Sequence, residues 1–188
     1  MTQTEALDAF RRSGALLDGH FILRSGRHSR QYFQCALALQ HARLAARLCA
    51  ALAEKLAGAP VDAVISPALG GLFVGHELAR ALDVRHIFAE KEEGKLVLRR
   101  GFAVGKGERF LVAEDVVTQG GRVRETLDIV RARGGIVAAV AVLVDRSAEP
   151  PDFGAPFVSL VKMEVETFPA DRLPPDLAAI PPQKPGSR

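Results

Sequence analysis

Two adjacent carboxylates, Glu114 and Asp115, end an apolar run in "RFLVAEDVVTQGGRVRETLDIV", residues 109–130. Val116 and Val117 follow, then Thr118, Gln119, Gly120 and Gly121, and a helical pattern opens at Arg122. A glycine turn that opens a helix presents backbone N–H groups and the positive end of the helix dipole to an anion. Carboxylates repel anions, so a plain phosphate site would not carry a pair of them. A sugar phosphate resolves the conflict. The amides of 118–122 would hold its phosphate, and the acids would accept hydrogen bonds from its hydroxyls. The competing roles for the acids are a helix N-cap or a salt bridge to Arg122 or Arg124.

Two more segments carry similar signals. "VDAVIS" (61–66) runs into Pro67-Ala68-Leu69-Gly70-Gly71 and then a helical stretch. A lone Gly-Gly turn usually marks a tight connection and nothing more. Two such turns on one sheet edge, one preceded by paired acids, favour a binding site. The apolar run 136–144 ends in Asp145-Arg146-Ser147. A guanidinium there suits a substrate carboxylate, which it grips with two parallel bonds. The bland alternative is a surface pair with Asp145 or Glu149.

These residues must be placed by secondary structure. Apolar spacing predicts helices over 4–17, 40–57, 72–82 and 122–133, and strands over 61–66, 84–90, 109–114 and 136–144. Residues 19–39 read as strands around a loop at 25–27. The unbroken apolar character of 136–144 means both faces are covered, as in a parallel sheet between helices. Strand–helix alternation gives an α/β doubly wound fold, whose ligands bind beyond the carboxyl ends of the strands. The tail from Phe168 holds six prolines and is expected to be extended and without regular structure.

Composition narrows the function classes. The chain of 188 residues is 48% hydrophobic and 25% charged, ordinary for one globular domain. No apolar run is long enough for a membrane helix, and the N-terminus lacks a signal-peptide pattern, so a cytoplasmic protein is expected. A net charge of +3, one Tyr and no Trp argue against a nucleic-acid surface. Cys35 and Cys49 fit no zinc or redox spacing and are expected as buried, reduced thiols. The five histidines form no metal motif and are expected mostly at the surface or in turns. Neither a P-loop nor a dinucleotide fingerprint is present.

"LVAEDVVTQGGR" resembles the phosphoribosyl-pyrophosphate (PRPP) motif of type I phosphoribosyltransferases: apolar strand, two acids, two apolar residues, Thr-x-Gly-Gly. "GHFILRSGRHSRQYFQCAL" and "VDRS" resemble the orotate phosphoribosyltransferase branch of that family, and "EEGKLVLRRGF" its thermophile-type members. The resemblance covers about residues 15–168. It implies a type I phosphoribosyltransferase-like parallel sheet flanked by helices, in one domain over 1–168. A small hood from about 1–40 and a proline-rich tail over 169–188 complete it. It implies transfer from PRPP to orotate with Mg²⁺ carried by PRPP rather than by a protein-only site, in a homodimer with a shared active site.

Carried over by position, Glu114, Asp115, Val116, Val117, Thr118, Gln119, Gly120, Gly121 and Arg122 would hold the ribose 5-phosphate. Arg24 and Lys91 would also touch PRPP. Pro67, Ala68, Leu69, Gly70 and Gly71 would form the pyrophosphate loop, and Thr118, Arg146, Phe33 and Gln34 would contact orotate. The sequence departs from the better-known branch in three places. Residues 90–107 hold no histidine, so Lys91, Lys95, Arg99 and Arg100 must supply any cationic lid. Gln119 and Arg122 replace small hydroxyl residues. Leu173 to Leu177 stand where related tails often carry a cysteine pair. The rival readings are a purine-base phosphoribosyltransferase, a non-catalytic PRPP-sensing regulator and a purely structural domain.

Overall fold

The computed structural model describes residues 1–23 and 25–185, so the expectation for Arg24 lies outside the described residues. Thr2 starts helix α1 (Gln3–Arg12) with a capping box: its hydroxyl accepts from the Glu5 N–H, and Glu5 accepts from the Thr2 N–H. The helix ends before Gly14, which takes φ +71°, so the expected helix over 4–17 is cut short. Leu17 instead lies in strand β1 (Leu16–Ile22), paired antiparallel with β2 (His28–Phe33). The single helix expected over 40–57 is preceded by a separate short one. Helix α2 (Cys35–Leu39) and α3 (Ala42–Glu54) are divided at His41, whose backbone is extended.

The main sheet follows. It contains β3 (Ala63–Pro67), then helix α4 (Gly71–Leu82), β4 (Arg85–Glu92), β5 (Lys95–Leu98) and β6 (Arg109–Val117). Helix α5 (Gly121–Ala132), β7 (Ile136–Asp145) and β8 (Phe157–Lys162) complete it. The six strands lie in the order β5-β4-β3-β6-β7-β8, all parallel except β5. Alternation along the strands sorts side chains to the two faces. Leu111, Ala113, Ala139 and Ala141 pack with Leu48, Leu52, Val74 and Leu78 of α3 and α4. Phe110, Val112, Val140 and Val142 pack with Val123, Leu127 and Val130 of α5. Helices cover both faces, as the apolar run of β7 requires.

Sequence reading missed several elements. The segment after residue 90 folds into a hairpin, because Glu93 and Gly94 take φ +47° and +88°, the backbone of a two-residue primed turn. Strand β8 was not anticipated. The tail is not wholly irregular either: β9 (Thr167–Phe168) joins β1 and β2 in a three-stranded sheet, and α6 (Pro175–Ala178) packs nearby. Leu177 of α6 is fully buried, and Arg30 on β2 grips Asp176 with two bonds and reaches Glu166. The histidines also depart from expectation. His20 and His28 are buried and bonded to each other, and His20 donates from Nδ1 to the Ile180 carbonyl. Both cysteines are buried and free, and burial pushes the Cys49 thiol up to about 12. Among the described residues, no helix is long and apolar enough to cross a membrane.

Besides its backbone and His20 bonds, the tail is anchored by a buried leucine and by ion pairs in water, and these two should differ in weight. Leu177→Ala should lower unfolding free energy by about 2–5 kcal/mol, the usual range for such a core truncation. Arg30→Gln should change it little, because exposed pairs contribute little. Urea denaturation of both variants checks this; an unchanged midpoint for Leu177→Ala would show the strap to be dispensable.

Candidate active site at the sheet's switch point

From β3 the chain crosses through α4 to β4 on one side, and from β6 it crosses through α5 to β7 on the other. Neighbouring strands β3 and β6 therefore flank the point where connections diverge, where open α/β sheets form their ligand crevice. Both glycine turns open there. A β-carbon at Gly70 would lie 2.8 Å from Asp115 Oδ1. One at Gly71 would lie 3.0 Å from the Ala113 carbonyl and 3.1 Å from Glu114 Oε1. The turn Pro67–Gly71 thus rests directly against the two acids. The Ala68 N–H bonds to the Ala89 carbonyl at 2.8 Å and ties the turn to β4, while Leu69 stands out, 78% exposed. No side chain caps the N-terminus of α4 or of α5, and Gly120 enters α5 with φ +75°.

The acids are neither helix caps nor members of a salt bridge among the described residues. Glu114 is buried and its Oε1 accepts from the Asp115 N–H at 3.1 Å. Asp115 is half-buried and accepts from the Val116 N–H at 2.8 Å. Arg124 turns away to the Gln119 carbonyl. Burial pushes the Glu114 carboxyl well above the usual carboxylate range, the neighbouring Asp115 charge adds to this, and Arg122 offsets it slightly. Thr118, Gln119, Gly121 and Arg122 line the open side of the turn as exposed residues, with Val117 and Gly120 buried beneath.

Arg146 follows β7, and its N–H bonds to the Val117 carbonyl at 2.8 Å, which sets it beside the phosphate-type turn. It does not pair with Asp145, which is held by Lys162 at 2.9 Å and by Ser147. The Arg146 Nε is buried without a hydrogen-bond partner among the described residues, and burial lowers the group's proton affinity. An orphaned guanidinium nitrogen in a crevice is an unsatisfied donor awaiting an acceptor. Next to it lies a cavity of about 770 Å³ lined in part by Arg146, Ser147, Gln31, Glu164 and Ile180.

The hood side is only partly as expected. Phe33 does not wall a pocket with its ring: it is buried edge-on against Phe10, centroids 4.8 Å apart. Half-buried Gln34 follows β2, its N–H tied to the Ala15 carbonyl. Sequence reasoning missed Tyr32 and Cys35, which lie near Arg146. Strand alternation was the available signal for Tyr32, since a core-facing Phe33 turns its neighbour the other way.

The cationic lid expected over 91–100 is the β4–β5 hairpin. Arg99 pairs with Glu92 at 3.1 Å and Arg100 with Glu90 at 2.7 Å, so both are held within the hairpin. Lys91 and Lys95 are exposed and in no ion pair among the described residues. The Leu96 N–H reaches Glu125 of α5. No cluster of three or more His, Cys, Asp or Glu side chains suited to a metal occurs among the described residues. The paired carboxylates of β6 are oxygen donors of the kind a hard divalent cation takes one or two at a time, alongside substrate oxygens.

Comparison with known proteins agrees with this geometry. Residues 36–172 match the sequence model of the phosphoribosyl transferase domain. The chain is 53% identical, over 191 aligned positions spanning both proteins entirely, to a protein of Heliobacterium modesticaldum named orotate phosphoribosyltransferase. It is 50% identical over 188 residues, its whole length and 99% of its relative, to the orotate phosphoribosyltransferase of Pelotomaculum thermopropionicum. Among solved structures, the orotate phosphoribosyltransferase of Aeropyrum pernix superposes with a TM-score of 0.70 at 28% identity, over 83% of this chain and 92% of that one. Identity of this extent across the whole of this chain, together with a domain match over most of it, means that the chain belongs to the phosphoribosyltransferase family.

Proposed function

We infer that the protein is an orotate phosphoribosyltransferase: it transfers phosphoribose from PRPP to orotate, yielding orotidine 5′-phosphate and pyrophosphate in pyrimidine biosynthesis. The observation that carries the choice of base is the buried, unpartnered Nε of Arg146 beside the turn 118–121. Orotate has a carboxylate to offer that nitrogen; purine bases have none. Full-length relatives bearing the same name support the reading.

The site residues then divide the work. The amides of 118–122 hold the 5-phosphate, and Glu114 and Asp115 accept from the ribose hydroxyls. The turn Pro67–Gly71 receives the pyrophosphate with its free amides and the N-terminus of α4. Orotate's ring nitrogen gives up its proton to solvent or to the departing pyrophosphate and forms its bond to the anomeric carbon as the bond to pyrophosphate breaks, and pyrophosphate leaves with the electron pair. Positive charge builds on the sugar ring, where Glu114 and Asp115 lie closest. No side-chain nucleophile is required, so the groups act by binding, orienting and excluding water. Mg²⁺ bound with PRPP would neutralise the leaving pyrophosphate, and Glu114 and Asp115 are the carboxylates that would help to hold it. Lys91 and Lys95, the hairpin cations without an ion pair, are the candidates to reach pyrophosphate. Leu69 and Phe73, 78% and 60% exposed beside the site, suit an interface with a second copy, whose hairpin would complete the shared site in a cytoplasmic homodimer.

Pyrophosphate release from PRPP, Mg²⁺ and each free base should occur with orotate and cease in excess chelator. Release with adenine or hypoxanthine but not orotate would replace the assignment by a purine enzyme, and release with no base by a PRPP-sensing role. Arg146→Ala should weaken orotate use by more than about tenfold, since removing one partner of a desolvated charged pair costs about 2–5 kcal/mol. PRPP binding without base should stay near normal. Equal loss of both, or of neither, would sink the carboxylate-clamp role.

Glu114→Gln should raise the KM for PRPP by about tenfold, the loss of a charge-assisted hydrogen bond. It should also stabilise the free protein at neutral pH. The folded carboxyl has a raised proton affinity, so the folded state binds more protons and loses stability as pH rises from about 4.5 through that raised value. Glutamine removes the loss, so the gap between variant and parent should close in acid. Thermal melts from pH 4 to 8 read this; a gap independent of pH would contradict it. Finally, mixing a Lys91→Ala/Lys95→Ala variant with an Asp115→Asn variant should restore activity if the site is shared, whereas a monomer in sedimentation would exclude sharing.

A further inference from the structure

We propose that Arg124 and Phe153 are positioning residues that lock the turn 118–121 in its phosphate-binding shape from behind. The inference rests on reading that turn as the 5-phosphate site, and it concerns residues outside the turn. Arg124, in the first turns of α5, folds its side chain back and donates from one terminal nitrogen to the Gln119 carbonyl. Its guanidinium carbon stands 5.3 Å from the centroid of the Phe153 ring, a cation–π contact. Phe153 comes from the β7–β8 connection and is buried under Gly120: a β-carbon there would lie 2.9 Å from Phe153 Cε1 and 3.1 Å from the Arg124 nitrogen. Phe153 is itself fixed. Its carbonyl accepts from Arg131 at 2.8 Å, and its ring meets Phe157 edge-on at 5.4 Å.

This arrangement controls the direction of one peptide plane. In a trans peptide the carbonyl of one residue and the N–H of the next point opposite ways. Pinning the Gln119 carbonyl to Arg124 therefore turns the Gly120 N–H away from Arg124. Gly120, at φ +75°, tolerates many backbone conformations, so without the pin this peptide is free to rotate. A rotated peptide would present a carbonyl oxygen where a phosphate needs a donor. Arg124 holds the carbonyl, and Phe153 holds both Arg124 and the glycine. The connection that bears Phe153 also begins with Arg146, so one stretch of chain, 146–153, links the phosphate turn to the base-side arginine.

The test uses Arg124→Ala, Arg124→Lys, Phe153→Ala and the double alanine variant of the full-length enzyme, with thermal melts on each. Each single alanine variant should raise the KM for PRPP and the Kd for ribose 5-phosphate by about tenfold, as for a lost hydrogen bond to a charged group. kcat at saturating PRPP, the KM for orotate and pyrophosphate binding should stay close to the parent's, the pattern of lost ground-state binding. The double variant should be no worse than the worse single one, because the two act as a unit. Lysine should rescue Arg124 in part, since it can donate to the carbonyl without covering the ring as a planar group. Loss with Arg124→Ala but none with Phe153→Ala would make Arg124 a direct phosphate contact and overturn the brace. Equal weakening of every ligand together with a lower melting temperature would reduce both residues to structural support and overturn it too. Gly120→Ala separates the premises, because its methyl group forces the turn itself to move. Normal ribose 5-phosphate binding in that variant would refute the turn as the phosphate site. Impaired binding there with normal binding in the brace variants would refute the brace alone.

Discussion

The turn after β3 can lie against the carboxylates of β6 because Gly70 and Gly71 carry no side chains, and the rest of the site is arranged around that approach. Strand register delivers the parts to one level. Ile65 stands opposite Val112, which carries Pro67 to the height of Glu114, and Val117 opposite Asp145 brings Arg146 beside Thr118. A shift of either strand by one residue would turn its apolar set to the wrong face, so the core that fixes the sheet also fixes the site. The two helix N-termini that flank the crevice follow from the same topology, since α4 and α5 leave adjacent strands on opposite faces.

This convergence opposes stability. Glu114 is a buried carboxyl beside a second acid, and no compensating ion pair is formed among the described residues. Such a group is tolerated because strands on both sides hold the backbone, and because a ligand that brings hydroxyls or a cation supplies partners the folded chain lacks. The end of β3 is stiffened differently. Ser66 is buried at the end of β3 and bonds to His86 Nε2 at 2.8 Å, and burial takes His86 down to about 4, so it remains neutral at working pH. The neutral imidazole packs between β4 and α4, where a β-carbon at Gly75 would collide with its Nε2, and it adds no charge there. The acid pair is therefore the electrostatic strain of the site, and Ser66–His86 belongs to its support.

The chemistry was more legible in the sequence than the scaffolding around it. Paired acids, two glycine turns and Arg146 all lie at strand ends, and strand ends are short local patterns. The central strands were legible because β3, β6 and β7 are covered on both faces and read as unbroken apolar runs. Elements held by distant partners were not. The β4–β5 hairpin depends on positive φ at Glu93, which a propensity reading does not suggest, and Arg99 and Arg100 pair with Glu92 and Glu90 within it. Phe33 looked like a pocket wall, but whether an aromatic faces a core or a crevice depends on a residue 23 positions earlier, Phe10. His20 and His28 read as polar turn residues, yet the tail that buries them begins about 140 residues later.

The tail lines the cavity beside Arg146 through Asp176, Leu177 and Ile180. The turns 118–121 and Pro67–Gly71 are built on the main sheet, where burial on both faces resists local opening. Arg146, at the end of that sheet, lines one cavity with Gln31 of the three-stranded sheet, whose strap is fastened by exposed ion pairs, one buried leucine and the His20 bond to the Ile180 carbonyl. The backbone adds to this fastening: the Ile22 N–H bonds to the Gln183 carbonyl and the Gln183 N–H to the His20 carbonyl, both at 2.8 Å, so tail and β1 form one packed unit. Arg146 is tied to the main sheet instead, through its N–H bond to the Val117 carbonyl, and the crevice between them is bounded by two separately built sheets.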